Sequence, residues 1–287
     1  MTKYFNGFNN FLNYNKRVIQ ASIVRTIGSS PRNSDTEMFI SETDTLGTIG
    51  GGQLEYLVIN HSKKMIAENI KKDILKISLG PEIGQCCGGK VEVSLLEMYE
   101  KDKCLALNRF DKKDKNLPHV YVMGAGHVGR ALALQLQHLP VRCVLIDSRV
   151  DELAKCSADV ETRLSAIPEE DIKSAPRGSA YVILTHDHAL DFILCGAALD
   201  RHDAKYVGMI GSKTKRVKFK KWYQVNYDNN LIRDFTCPIG NLKNQDKRPS
   251  IIASFVAAEV IDMLFANVNL SENYDLNLNG SKTFILF

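Results

Sequence analysis

A short glycine-rich segment near the middle of the chain constrains the fold more than any other feature. Gly124-Ala125-Gly126-His127-Val128-Gly129 follows an apolar run at 120–123 and precedes a helical stretch at 130–138. The first glycine permits a tight turn, the second lets a pyrophosphate approach the backbone, and the third lets helix and strand pack closely. Amide N–H groups at the start of the helix can hold the phosphates. The segment therefore predicts a Rossmann-like fold.

The residues after this segment alternate between apolar runs and helical stretches. Runs at 142–146, 180–184 and 206–210 are typical of strands, and a helical stretch at 189–199 separates the last two. This alternation predicts an α/β domain with a doubly wound parallel sheet, which we assign to 119–287. Asp147 follows the first of these runs, where a carboxylate can accept hydrogen bonds from a ribose and would favour NAD over NADP.

The first hundred residues show a mixed pattern of strands and helices instead. Alternating or apolar runs at 17–27, 38–40, 74–79 and 91–98 predict strands, and a helical stripe runs from 53 to 70. We therefore expect an N-terminal α+β domain over 1–100. The polar stretch at 101–118 has no periodicity and ends at Pro118, so it is interpreted as a linker between the two domains.

Two loops of the N-terminal half have residues suited to an anionic ligand. The loop at 47–52 includes Gly50, Gly51 and Gly52, whose N–H groups precede a helix and can form an anion nest. Arg32 follows a proline and can present a bidentate guanidinium to a phosphate. Glu55 lies in the first turn of the helix, where it could contact the ligand or simply stabilise the helix dipole.

A third loop, Gly84-Gln85-Cys86-Cys87-Gly88-Gly89, places two adjacent thiols between glycines. Thiolates in such a loop could hold a metal, a sulfur-containing cofactor or a transferable sulfur atom. The alternative is a flexible turn with two small, half-buried side chains. A disulfide between adjacent cysteines would be strained. Gln85, Cys86 and Cys87 are therefore candidate cofactor ligands, and the two thiols are candidate metal ligands.

The segment Thr185-His186-Asp187-His188 follows a predicted strand, at the edge where α/β proteins usually bind ligands. Its histidines could donate protons or bind a metal, and Thr185 or Asp187 could equally cap the following helix. Cys237 could add a third metal ligand, although the spacing matches no familiar zinc pattern. We retain His186 as a candidate ligand contact.

Charge and cysteine content argue against several classes of protein. Lys and Arg number 37 and Asp and Glu 33, and their mixing along the chain does not suggest a dedicated nucleic-acid-binding protein. The basic run at 213–221 is interpreted as a solvated helix face. Seven cysteines without framework spacing fit reduced thiols. No signal-peptide core or membrane-spanning apolar run is present, so we expect a cytoplasmic protein.

Six blocks, in order between about residues 17 and 265, resemble the XdhC/CoxI family of xanthine dehydrogenase accessory proteins. Two of these blocks, Gly-Thr-Ile-Gly-Gly-Gly at 47–52 and Gln-Cys-Cys-Gly-Gly at 85–89, are specific to this resemblance. The blocks are GSSPR at 28–32, GTIGGGQLE at 47–55, GPEIGQCCGG at 80–89, GAGHVG at 124–129, THDH at 185–188 and CPIG at 237–240.

The resemblance implies a molybdenum cofactor chaperone rather than a catalyst. Such a protein would bind molybdopterin, receive or protect its terminal sulfido ligand together with a cysteine desulfurase, and deliver it to an apo-molybdoenzyme of the xanthine dehydrogenase type. The pterin phosphate would lie on the glycine nest and Arg32, with Cys86 and Cys87 facing the molybdenum or carrying sulfur as a persulfide. We also expect a homodimer.

Two other functions stay open at this point. An NAD-dependent oxidoreductase would use the glycine fingerprint and Asp147, but it leaves the N-terminal loops unexplained. A thiol redox protein would use Cys86 and Cys87, although adjacent cysteines lack the Cys-x-x-Cys spacing. The Rossmann half could bind NAD, another nucleotide or the nucleotide-bearing form of the cofactor, or it could serve for dimerisation and docking.

Overall fold

The computed structural model describes residues 3–27, 36–79, 89–227, 235–240 and 246–266. The chain divides into two compact units, a first unit that contains Phe5–Lys112 and a second unit that contains Lys113–Asn269. The predicted combination of an α+β unit with a Rossmann-like unit is confirmed by the two sheets described below. The exact domain boundaries stay predictions.

The first unit is built on a five-stranded antiparallel sheet in the order β3-β2-β1-β5-β4. In β5, residues alternate between buried and partly exposed positions, because successive side chains point to opposite faces of the sheet. The strands are β1 (Ile19–Ile27), β2 (Glu37–Ile40), β3 (Thr45–Gly47), β4 (Lys72–Ser78) and β5 (Lys90–Glu97).

Three helices cover the two faces of this sheet: α1 (Lys3–Tyr14), α2 (Gly52–Glu68) and α3 (Glu100–Lys115). The apolar stripe of α2 packs on one face with Leu54, Val58 and Met65, as the sequence predicts. Phe8 of α1 packs in a separate cluster that includes Phe39 of β2. Each face therefore has its own hydrophobic core.

The stretch predicted as a linker, 101–118, is largely helical, because α3 occupies most of it. Ala106 is buried, and Leu107 and Phe110 pack against the same cluster as Phe8. Lys103, only 7% exposed, donates hydrogen bonds to the carbonyls of residues 15 and 16. The apolar stripe is narrow and lies among many charges, so its helical period is hard to recognise in the sequence.

The second unit is built on a six-stranded parallel sheet in the order β11-β10-β9-β6-β7-β8. The first strand of the unit, β6, lies beside both β7 and β9, so the strand order reverses between β6 and β9. This topology confirms the predicted doubly wound sheet. The strands are β6 (His119–Met123), β7 (Arg142–Asp147), β8 (Glu161–Leu164), β9 (Ala180–Ile183), β10 (Tyr206–Met209) and β11 (Phe235–Thr236).

Helices pack on both faces of the parallel sheet. Val120 and Val122 belong to the core beneath α4 and α9, whereas Tyr121 and Met123 belong to the core beneath α7 and α8. Every helix in the described ranges is too short or too polar to cross a lipid bilayer. The helices are α4 (His127–Leu136), α5 (Val150–Ala154), α6 (Pro168–Ser174), α7 (His188–Asp200), α8 (Lys213–Asn226) and α9 (Pro249–Phe265).

Candidate functional site

Three segments of the first unit follow strands that run in the same direction along the antiparallel sheet. Ile27, the last residue of β1, pairs with Lys90, the first residue of β5, and Lys90 also pairs with Ser78, the last residue of β4. Gly47, the last residue of β3, pairs with Met38 near the start of β2. The strands that precede the segments 28–35, 48–51 and 80–88 all run toward the end where Ile27 pairs with Lys90, but Gly47 is level with Ala21, six residues before Ile27 along β1.

The two ends of the third segment are joined directly. The N–H of Leu79 donates to the carbonyl of Gly89 at 2.7 Å, immediately beyond the last pair of β4 and β5. Arg32, Gln85, Cys86 and Cys87 lie outside the described residues, so the roles predicted for them stay predictions. What the structure adds is that the strands before these residues, β1 and β4, end at the same level, where Ile27 and Ser78 both pair with Lys90 of β5.

The glycine loop at 47–52 is folded around the side chain of Glu55. Its Oε1 atom accepts hydrogen bonds from the N–H of Ile49 at 3.0 Å, from the N–H of Gly51 at 2.8 Å, and from the hydroxyl of Thr48. Burial raises the pKa of Glu55, but these hydrogen bonds outweigh burial and the pKa is lowered. The loop thus forms an anion nest whose anion is a carboxylate of the chain itself, and cofactor binding at Gly50, Gly51 and Gly52 stays a prediction.

This arrangement restricts where a phosphate could bind in the first unit. Gly50 and Gly51 have φ values of 127° and 79°, which suit glycine. Because Glu55 accepts from Ile49 and Gly51, a phosphate would have to displace this carboxylate. The N–H groups of the first turn of α2, at 52–54, have no acceptor within the helix. They are better placed than the N–H groups of Ile49 and Gly51 to donate hydrogen bonds to a phosphate. Gly52, which the sequence predicts as a ligand contact, supplies one of them.

In the second unit, the glycine turn after β6 has the geometry that the fingerprint predicts. Gly124 has a φ of +126°, and a Cβ atom there would lie 2.5 Å from the carbonyl oxygen of Leu184. A Cβ atom on Gly129 would lie 1.9 Å from the carbonyl oxygen of Gly124. By contrast, a Cβ atom on Gly126 would meet nothing within 4 Å. Gly124 and Gly129 are therefore packing positions, and Gly126 faces open space at the start of α4.

Asp147, at the carboxyl end of β7, is held by four hydrogen bonds. Its Oδ2 accepts from the N–H of Ala125 at 2.7 Å and from Nη2 of Arg149 at 2.8 Å. Its Oδ1 accepts from the backbone N–H and Nε of Arg149 at 3.0 Å and 2.9 Å. Burial raises the pKa of Asp147, but the hydrogen bonds from Arg149 and Ala125 lower it by more than burial raises it. The net pKa lies below the ordinary value, so the carboxylate is ionised.

The pairing with Arg149 bears on the predicted role of Asp147 in binding ribose. A carboxylate offers about four acceptor positions, and all of them are used by Ala125 and Arg149. A ribose diol can therefore bind Asp147 only after the Arg149 side chain has moved. Binding of an NAD ribose at Asp147 stays a prediction, and it requires that the Arg149 side chain move. Arg149 was not singled out from the sequence, although its position two residues after the acid was a usable signal.

The end of β9 is organised by a carboxylate that is fully buried. Asp191 accepts hydrogen bonds from the N–H and hydroxyl of Thr185, at 2.9 Å and 2.7 Å, and forms an ion pair with Lys215. Lys215 also donates to the carbonyl of Ile210 at 3.1 Å, after β10. The basic run at 213–221 is therefore not wholly a solvated face, because Lys215 points inward, as does the apolar Phe219.

The two histidines after β9 are exposed, and the residue between them is the helix cap. Asp187 accepts from the N–H groups of Ala189 and Leu190, which lower its pKa. The capping alternative is therefore confirmed. His186 lies at the carboxyl edge of the sheet, where its predicted contact with a ligand stays a prediction.

Cys237 lies at the end of β11 and is buried. Its thiol is 4.0 Å from the carbonyl oxygen of Ser212, and burial raises its pKa to about 11. Such a thiol is poorly suited to nucleophilic or metal chemistry near neutral pH. Within the described ranges, no group of three or more His, Cys, Asp or Glu side chains is arranged to hold a metal ion. The suggested zinc site of His186, His188 and Cys237 is thus not found.

Two family models match the chain. A model described as the XdhC Rossmann domain matches residues 120–260, and a model described as the XdhC and CoxI family matches residues 12–77. Together the two ranges cover more than two thirds of the chain. They fall in the second and first unit respectively.

Known structures and curated proteins give two further similarities. A crystal structure of a xanthine dehydrogenase from Bacillus halodurans matches with a TM-score of 0.78 over 95% of this chain and 98% of that one. The sequence identity is 16%, so this likeness shows the fold alone. The uncharacterized protein YqeB of Escherichia coli K12 is 29% identical over 116 residues, which are 39% of this chain. The chain spans 18% of the length of that relative.

Proposed function

The chain belongs to the XdhC and CoxI family, and on that premise we propose that it is an accessory protein for a molybdoenzyme of the xanthine dehydrogenase type. In this proposal the first unit binds the molybdenum cofactor, protects its terminal sulfido ligand or helps to install it with a cysteine desulfurase, and passes the cofactor to the apo-enzyme. When bound, the cofactor supplies the metal centre that the recipient enzyme later uses.

The shared direction of the three strands that precede the loop segments, β1, β3 and β4, is the observation that supports this proposal best. Arg32, the glycine nest and the Cys86–Cys87 pair are far apart in the sequence. Ile27 and Lys90 nevertheless pair at one end of a single sheet, and β3 runs toward the same end, although its last residue, Gly47, is level with Ala21 of β1. A cationic side chain, a row of N–H donors and two thiols on the segments that follow these strands could bind a phosphorylated, sulfur-rich ligand.

The contacts of Glu55 refine how such a ligand would be held. Because Glu55 occupies the nest, we place the phosphate at the free N–H groups of 52–54, where the helix dipole of α2 also favours an anion. Glu55 then stabilises the conformation of the glycine loop through its hydrogen bonds and does not contact the cofactor. Cys86 and Cys87 are the proposed sulfur ligands, and lowered thiol pKa values would suit them to that role.

Activation of an apo-molybdoenzyme tests this function. An apo-enzyme of the xanthine dehydrogenase type would be incubated with released cofactor, a cysteine desulfurase and cysteine, with or without this protein. We expect faster recovery of xanthine oxidation with the wild type, and no such gain with the Cys86→Ala/Cys87→Ala variant. A Cys104→Ala/Cys156→Ala variant removes two thiols elsewhere and should act like the wild type. An equal gain with both double variants would contradict the thiol role.

An NAD-dependent oxidoreductase is the second candidate, because the open space over Gly126 and the first turn of α4 suit a pyrophosphate. It does not account for the three N-terminal loops. A substrate-dependent change in NADH absorbance by the purified protein would favour it.

A further inference from the structure

The ribose position of the second unit presents hydrogen-bond donors rather than acceptors. In Rossmann folds, an acidic residue at the end of the second strand accepts hydrogen bonds from the ribose 2′-hydroxyl. Asp147 is at that position, but its carboxylate already accepts three hydrogen bonds from Arg149 and one from Ala125. A hydroxyl that approaches as a donor therefore finds the acceptor positions taken.

Arg149 still has donors available to a ligand. A guanidinium has five N–H groups, and Nε and Nη2 of Arg149 each use one of them on Asp147. The Arg149 side chain is 38% exposed, whereas that of Asp147 is 4% exposed. The pairing also fixes the guanidinium plane, so its remaining N–H groups are held in place before any ligand arrives.

We propose that the second unit selects a nucleotide whose ribose carries a 2′-phosphate, with Arg149 as the residue that recognises this phosphate. Phosphate oxygens accept hydrogen bonds from a guanidinium in a bidentate geometry that hydroxyl groups cannot match. An arginine near this strand end is the usual way in which such folds accommodate a 2′-phosphate. The 5′-pyrophosphate lies over Gly126, at the first turn of α4.

Apolar side chains beside Arg149 provide a surface for the base. Val150, Leu164 and Ile167 are 61%, 60% and 61% exposed. Val150 follows Arg149 directly, and Leu164 is the residue of β8 that pairs with Asp147. Isolated apolar residues are common on protein surfaces. Val150 and Leu164 at the strand ends next to the ribose position, with Ile167 three residues after β8, nevertheless suit the flat face of a nucleobase.

This inference does not rest on the molybdenum function. It concerns only the second unit, so the cofactor proposal for the first unit can fail without affecting it, and the reverse also holds.

Binding of three small nucleotides to the full-length protein tests the proposal. The probes are 2′,5′-ADP, 3′,5′-ADP and 5′-AMP, measured by calorimetry at fixed ionic strength. We expect 2′,5′-ADP to bind at least about tenfold more tightly than 5′-AMP, because charge-assisted hydrogen bonds to phosphate are strong. The 3′ isomer has the same charge as 2′,5′-ADP but a different geometry. Equal affinity for the two isomers, or tighter binding of 5′-AMP, would overturn the proposal, as would no binding of any probe.

Substitution of Arg149 supplies the second arm of this test. In Arg149→Gln the preference for 2′,5′-ADP over 5′-AMP should fall to about twofold or less, since a glutamine cannot form the charged fork. Arg142→Gln removes the same charge from the opposite end of β7, and it should keep the wild-type preference. A preference that survives in Arg149→Gln would show that another group recognises the phosphate. The comparison of isomers in the wild type does not depend on how well either variant folds.

Discussion

The ammonium group of Lys215, at the start of α8, donates a hydrogen bond to the fully buried carboxylate of Asp191, at the start of α7. The contact joins the segments that follow β9 and β10, since Thr185 and Ile210 are hydrogen-bonded to the same pair. A buried charge of this kind is tolerated because its partner and the surrounding polar groups compensate the loss of water. The pair therefore helps to fix the carboxyl edge of the parallel sheet.

Replacing Lys215 by methionine should destabilise the protein strongly. The substitution keeps the length of the side chain but leaves the Asp191 carboxylate buried without its cation, which costs roughly 3–5 kcal/mol. Urea unfolding followed by circular dichroism measures the loss. Lys213→Met changes an exposed lysine of the same helix and should shift the free energy of unfolding by less than about 0.5 kcal/mol. Similar effects of the two substitutions would mean that the ion pair contributes little.

The stability of the first unit should depend on pH through Glu97. A hydrogen bond from Arg17, followed by one from Lys71, holds the pKa of Glu97 at about 2, although burial opposes this. A pKa that is depressed in the folded state stabilises the protein above the ordinary pKa of Glu, about 4.3. This contribution, roughly 2–3 kcal/mol, is lost as the pH falls from there to about 2.

The Glu97→Gln variant isolates this contribution. At pH 7 it should be less stable than the wild type, and the difference should shrink steadily as the pH is lowered below about 4.3. Unfolding curves at several pH values measure the difference. A gap between the two proteins that is constant from pH 6 to pH 2.5 would contradict the assignment.

The glycines after β6 should respond differently to alanine. Gly129→Ala would place a Cβ atom 1.9 Å from a carbonyl oxygen, so the turn must shift and stability should fall by several kcal/mol. Gly126→Ala meets nothing within 4 Å and should cost about 1 kcal/mol or less. It should nonetheless weaken nucleotide binding, because the methyl group enters the space of the pyrophosphate. Thermal unfolding and nucleotide titration of both variants separate packing from binding.

The account of the glycine nest predicts that Glu55→Ala creates an anion site. Without the carboxylate, the N–H groups of Ile49 and Gly51 can donate hydrogen bonds to an inorganic anion. Sulfate at millimolar concentration should then raise the unfolding temperature of the variant more than that of the wild type. Glu68→Ala, near the other end of α2, is the matched control and should respond as the wild type does. An equal response of all three proteins would argue against the nest.

Much of the fold could be predicted from local sequence patterns. The fingerprint at 124–129 and the apolar runs around it specify the second unit, because each turn, strand and helix start depends on neighbouring residues. Pairs such as Asp191 with Lys215 could not be predicted, since the partners are 24 residues apart and meet only in the folded sheet. The helix α3 was missed for a different reason. Its few apolar residues lie among many charged ones, so the apolar face of the helix could not be recognised from the sequence.

The candidate site was predicted in its residue types but not in its internal contacts. The glycine nest was expected to be open, yet it is filled by Glu55 from the next helical turn. Asp147 was expected to face a ribose, yet it is paired with Arg149. In both cases a nearby charged group satisfies the donors or acceptors that the motif offers. Motif matching gives no information about such competition, because it considers the ligand and not the neighbours.

Titration of the protein with anaerobically released molybdenum cofactor tests the central claim most directly. Wild type, Cys86→Ala/Cys87→Ala and Cys104→Ala/Cys156→Ala would be compared under the same conditions. The account predicts saturable binding by the wild type and by the Cys104/Cys156 variant, and an affinity at least about tenfold lower in the Cys86/Cys87 variant. Absence of binding by the wild type, or equal binding by all three proteins, would contradict it.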